Sequence, residues 1–173
     1  MQKSIWIFGV LAGSICAGLE YMFFKSIGGS ANIMYISKFA VLLICIVFGL
    51  ILIRKLLGGT ISIARTILSG VLIAAVRAIV MIAAFTFLYY PDGEFYKEKL
   101  EISYEQAAKK IESDDEIKDA DKTMMLEETK VQIASQYKPT GYMLITIGMS
   151  VVSGFIISIL MAAFIGTNMM YKE

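Results

Sequence analysis

Four apolar runs, at about 4–25, 33–53, 66–90 and 141–167, constrain the fold of this chain more than any other feature. A hydrocarbon core about 30 Å thick is crossed by roughly 20 helical residues at about 1.5 Å each, and every run reaches that length. Lipid offers no water to the backbone, so an isolated apolar run satisfies its N–H and C=O groups by coiling into a helix. The expected fold class is all-α: a four-transmembrane-helix bundle.

Composition agrees, and the placement of charge says more than its amount. Hydrophobic residues make up 57% and charged residues 18% of the 173, with a mean hydropathy of +0.69, against about 25% charged in ordinary soluble domains. Of the 15 acidic residues, all but Glu20 and Glu173 fall between Asp92 and Glu128. The expected organisation is spans one to three over 1–90, an extramembrane insert over 91–140, and span four with a short tail over 141–173. The first run follows Lys3 and contains Gly13-Ser14-Ile15-Cys16, which has the look of a lipoprotein cleavage box. Ile15 is not small, however, and the run continues to Phe24, beyond the roughly 7–15 residues of a signal core. It is read as a retained span.

Short connections make neighbouring spans antiparallel. Gly28-Gly29-Ser30-Ala31-Asn32 joins the first two, and Arg54 to Arg65, with Gly58-Gly59 inside, joins the second and third. Arg54, Lys55 and Arg65 crowd that second loop, and cationic loops stay in the cytoplasm. With four spans, both termini, which carry Lys3 and Lys172, fall on the same side as this loop, so both are expected to be cytoplasmic and the insert outside. The insert's own eight lysines weigh the other way.

The insert opens with Pro91-Asp92 and closes with Lys138-Pro139-Thr140-Gly141-Tyr142. Ser103 with Gln106 reads as a capping box, predicting a short helix over 104–112 with Ala107, Ala108 and Ile111 on one side. A longer helix is expected from Asp115 to Tyr137, with Ile117, Ala120, Met124, Val131 and Ala134 on one stripe interrupted by Glu127. The pair makes a helical hairpin between spans three and four. It serves either as a solvated connector or as a platform for a partner.

Inside the spans, small residues four apart mark where helices approach closely. They are Gly9, Gly13 and Ala17 in the first; Gly70, Ala74 and Ala78 in the third; and Ser150, Gly154, Ser158, Ala162 and Gly166 in the fourth. Contact within the bundle and a homo-oligomer face both fit this spacing. Three ionisable residues also lie inside: Glu20, Lys38 and Arg77. Each costs about 2.5 to 3.5 kcal/mol at a helix centre on insertion scales, so each calls for a partner or a route to water. Glu20 lies about five residues past its span's midpoint and Lys38 about five before the next, which places both about 8 Å towards the outer side. Arg77 lies near the centre of span three, within reach of the same carboxylate or of the interface. The expectation is an intramembrane charge cluster of Glu20, Lys38 and Arg77. Three readings stand: mutual satisfaction that fixes register, a site for an ion or a lipid phosphate, and proton coupling through Glu20, which Lys38 beside it disfavours.

Cys16 and Cys45 lie in apolar runs and are expected as free thiols. The chain has no histidine, which removes the usual base, the commonest metal ligand and any Ser-His or Cys-His pair. No catalytic residue, metal or cofactor is expected.

Three stretches carry a resemblance: Gly58-Gly59-Thr60-Ile61-Ser62 before span three, Pro91-Asp92 at its exit, and Gly154-Phe155-Ile156-Ile157-Ser158-Ile159 in span four. Through them nearly the whole chain resembles the family Domain of Unknown Function 4199. That resemblance implies a four-span protein of the bacterial cytoplasmic (inner) membrane with its insert between spans three and four. It implies no reaction. The expected function is a non-enzymatic accessory or scaffold subunit of a membrane or envelope complex, and the alternative is a small transporter or channel subunit acting as a homo-oligomer with the charge cluster near its pathway. Expected partners are membrane lipid and another membrane protein or a second copy, with no nucleic acid.

Overall fold

A computed structural model describes residues 2–25, 31–90, 93–114 and 119–166. Gly28, Gly29 and Ser30, Pro91 and Asp92, Asp115 to Lys118, and Lys172 lie outside the described residues. The chain is all-helical: α1 Gln2–Lys25, α2 Ala31–Leu56, α3 Ile63–Ala84 followed by a π-helical turn Phe85–Tyr89, α4 Gly93–Glu112, α5 Asp119–Gln136 and α6 Pro139–Gly166. Four stretches are long and apolar enough to cross a membrane: Gln2–Phe23, Ile33–Leu56, Ile63–Leu88 and Pro139–Phe164. Each overlaps one expected run. The helices form two compact units, one of Met1–Ala83 with Thr146–Glu173 and one of Ala84–Ile145.

In the first unit, Leu42, Ile46, Leu50 and Ile53 of α2 pack with Ile5 of α1, Ile73, Ala74 and Val76 of α3 and Ile157 of α6. The small residues explain how the backbones come so close. A Cβ on Gly9 would sit 2.5 Å from Val76 Cβ, and one on Gly13 2.5 Å from Val80 Cβ and 3.0 Å from the Arg77 carbonyl. On the other side of α3, a Cβ on Gly154 would sit 2.5 Å from Ala74 Cβ, and one on Gly70 would collide with the Ser158 hydroxyl. That hydroxyl turns back onto the Gly154 carbonyl at 2.5 Å, which spares it an unmade bond in an apolar surrounding. The α1 and α6 stripes are thus both buried against α3 of the same chain.

The α2–α3 connection shows why Gly58-Gly59-Thr60-Ile61-Ser62 has its composition. Gly59 N–H donates to Arg54 O at 2.9 Å and Gly58 N–H to Lys55 O at 3.2 Å, the paired bonds of a Schellman cap. Such a cap needs a left-handed residue, and Gly58 has φ of 79°. Arg54 Nε donates to the Gly59 carbonyl at 2.8 Å. Ser62 then caps α3, accepting the Arg65 N–H on its Oγ at 3.4 Å. Span three consequently starts three residues before the expected position.

In the second unit, α4 packs against α5. Ser103 Oγ lies 3.0 Å from Tyr137 Oη, and Lys122 Nζ donates to the Glu112 carbonyl at 3.4 Å, so the paired positions run in opposite directions. Two expectations are corrected here. Ser103 is not an N-cap, because α4 begins ten residues earlier at Gly93 and holds Ser103 mid-helix, half-buried beside Tyr137. The expected apolar stripe of α5 is split: Met124 is 58% and Val131 72% exposed, whereas Ala134 is half-buried. The half-buried side includes Lys122, Leu126, Thr129, Ile133 and Tyr137, at steps of three or four. Polar Thr129 and Lys122 obscure that seam, whereas methionine and valine mark the wrong one. Of the expected stripe, Ile117 and the side chain of Ala120 fall outside the description.

Candidate functional site

The three ionisable residues expected inside the spans lie in one connected polar layer of the first unit. Glu20 lies one turn after Cys16 on α1, on the stripe of Gly9 and Gly13 that faces the other helices. Lys38 Nζ on α2 lies 2.8 Å from Glu20 Oε2, with the carboxylate buried and the lysine side chain 11% exposed. Lys38 also stands 5.9 Å from the ring of Tyr35, one turn earlier on α2. Arg77 on α3 is 8% exposed. Its Nη1 donates to Ser150 Oγ on α6 at 2.7 Å, and its Nε donates to Cys16 Sγ at 3.4 Å. Cys16 in turn donates its thiol hydrogen to the Lys38 carbonyl at 3.6 Å.

Each of the four span helices therefore contributes a polar group to one connected layer, with the Cys16 thiol as the link between the ion pair and the guanidinium. The sequence-predicted residues are disposed in two ways. Glu20 and Lys38 meet directly. Arg77 reaches Cys16 and Ser150, and both belong to the layer although neither is among the residues expected there. Cys16 shares its helix face with Glu20, four residues on, and Ser150 is the polar head of the fourth small-residue stripe, so both signals were present. Cys16 and Cys45 are free, buried thiols. Of the packing residues, Ala17, Ala74, Ala78, Ser150, Ser158 and Ala162 are buried, as are Gly9, Gly13, Gly70 and Gly154. Gly166 is the last residue of α6.

The chemistry of this layer is cohesive. Burying a lone charge is prohibitive, and an ion pair recovers the cost only when the partner is close and the remaining valences are satisfied. Among the described residues, no buried side-chain nitrogen or oxygen lacks a hydrogen-bond partner. A layer so tied fixes rotation and register of four helices that apolar packing alone leaves free to slide.

The four spans, the helical segment between the third and fourth, and the capped Gly58 to Ser62 connection can now be set beside known proteins. The profile of the family described as "Protein of unknown function (DUF4199)" matches residues 6–167, nearly the whole chain. The chain belongs to the DUF4199 family. No curated protein and no solved structure matches it. As a DUF4199 protein it is a multi-pass membrane protein by the evidence of four apolar helices.

Proposed function

We propose that this DUF4199 protein is a non-enzymatic scaffold subunit of a membrane complex, which docks another membrane or envelope protein through the outward face of α5. The observation that carries the reading is the misplaced apolar stripe: Met124 and Val131 are 58% and 72% exposed on a helix too polar to enter lipid. Asp121, Met124, Met125, Glu128 and Val131 fall on one arc of that helix, all exposed. Methionines side by side make an adaptable surface, and flanking carboxylates select what approaches it. The matching partner presents an apolar centre with a cationic rim. Each large apolar side chain fully covered there contributes about 1.5–3 kcal/mol.

Burial of the small-residue stripes against α3 supports the same reading, because those faces are already used within the chain. The location that goes with it is the bacterial cytoplasmic membrane. Both termini and the Arg54, Lys55 and Arg65 loop are cytoplasmic and 91–140 is outside, following the positive-inside rule. The second reading, a homo-oligomeric transporter or channel subunit with Glu20, Lys38 and Arg77 beside its pathway, draws on the polar layer that joins all four span helices.

A photo-crosslinking side chain at position 131 in native membranes tests the choice. The expected result is one adduct of defined mass that differs from twice the chain mass and disappears in Met124→Glu. An adduct only at twice the chain mass supports the homo-oligomer. The absence of any adduct sinks the docking role of α5.

A further inference from the structure

Lys99, midway along α4, is 1% exposed although it lies on a helix of low apolar content. Its ammonium lies among aromatic rings: Nζ is 4.9 Å from the centroid of Tyr137, and 5.3 Å and 5.4 Å from those of Phe85 and Tyr142, so it sits almost level with the middle of that pair. The Tyr137 distance lies within the roughly 6 Å over which a ring's negative face attracts a cation. The rings come from three different places. Phe85 opens the π-helical turn, Tyr137 follows the end of α5, and Tyr142 lies in the first turn of α6.

The box is constructed, and each wall has a local cause. The π-turn closes with the Tyr90 N–H donating to the Phe85 carbonyl at 2.8 Å, and such one-turn insertions re-aim a side chain relative to the helix before it. Phe85 and Tyr142 stack on one another at 3.9 Å and 11°. Tyr137 is steadied through its hydroxyl, 3.0 Å from Ser103 Oγ, one turn along α4 from Lys99. Gly141 lets the last turn of α5 pass close to the first turn of α6, since a Cβ there would collide with the Ser135 carbonyl. That approach brings the rings of Tyr137 and Tyr142 to 4.9 Å and 5.4 Å from one ammonium.

We propose that this box is an ammonium site filled by the chain's own Lys99, and that it acts as a cationic latch. It fastens α4 to the end of α5, to the π-turn and to the start of α6. The positive charge does the fastening, because the same rings around a neutral side chain of equal length keep the contact area and lose the attraction between the cation and the Tyr137 ring. The latch is independent of what α5 docks, since Lys99 is buried and the Met124 and Val131 arc faces outward.

Hydrogen exchange of the full-length protein in lipid nanodiscs, read on the amides of α4 and α5, tests it. In Lys99→Met those amides are expected to exchange about tenfold faster, with the amides of α1 to α3 unchanged, and in Lys99→Arg they remain close to the parent. In Lys99→Ala, n-propylammonium replaces the deleted atoms and is expected to restore protection, whereas 1-propanol at the same concentration does not. Parent-like protection in Lys99→Met overturns the latch, because the stem alone would then hold the helix. Equal rescue by 1-propanol also overturns it, because filling and not charge would then be what the box requires. If Lys99→Met does not fold, the Lys99→Arg and rescue arms decide the matter.

Discussion

Each unit of the molecule withdraws a lysine from its surface, Lys38 largely and Lys99 fully, and the two solve the same problem with different chemistry. Lys38, in the first unit, sets its ammonium 2.8 Å from the Glu20 carboxylate. Lys99, in the second, sets its own among the rings of Phe85, Tyr137 and Tyr142. A carboxylate answers a charge with a charge, and each member of the pair is then the condition for burying the other. Rings answer it with their quadrupoles, worth about 2 kcal/mol or more when desolvated, and they remain comfortable in an apolar setting if the cation leaves. The first arrangement is brittle to the loss of one partner, and the second is graded.

The largest expected effect is in the brittle unit. Glu20→Ala leaves Lys38 buried without its carboxylate and should destabilise the bundle by about 3–5 kcal/mol, read by denaturant unfolding in mixed micelles. Lys38→Met should cost a similar amount, and the double variant Glu20→Ala/Lys38→Met much less than the sum. Additive losses would show that the pair is not the unit of stability. Next in size is packing. Gly154→Val places a branched side chain where a Cβ already meets Ala74 at 2.5 Å, and overpacking of this kind should cost about 1–3 kcal/mol. Gly148 on the same helix has nothing within 4 Å of such a Cβ. Gly148→Ala should therefore be neutral or raise stability by a few tenths of a kcal/mol through helix propensity. Equal effects at the two positions would remove the case for an α3–α6 seam.

The same contrast decides what the sequence disclosed. Glu20 and Lys38 stand out because lipid makes any charge conspicuous, and counting residues along two antiparallel helices was enough to set them level. Gly9, Gly13 and Gly154 were legible for a related reason: in a medium that gives no reward for apolar contact, a four-residue rhythm of small side chains has few other uses. Lys99 carried no such mark. In a segment with eight lysines it looked like one more solvated charge, and its partners at positions 85, 137 and 142 are far away in sequence. The outward placement of Met124 and Val131 on α5 departs from the rule that apolar residues of a helix point inward, and periodicity alone carries no sign of that departure. The Ser103 and Gln106 pair has the spacing of a cap, yet it lies inside α4, which starts at Gly93.

Two serines reduce that last difference to a measurement. Ser62 accepts the Arg65 N–H, and Ser62→Ala should cost about 1 kcal/mol by exposing an orphan donor in the first turn of α3. Ser103 faces the Tyr137 hydroxyl instead. Tyr137→Phe keeps the ring beside Lys99 and removes only that hydrogen bond, so the loss should be roughly 0.5–1 kcal/mol. Ser103→Ala should match it, and the double variant should add little to either. Tyr137→Leu, which removes the ring as well, should accelerate exchange in α4 beyond Tyr137→Phe. If Tyr137→Phe and Tyr137→Leu proved equal, the hydroxyl would be the whole of Tyr137's contribution, and Lys99 would be held by two rings instead of three.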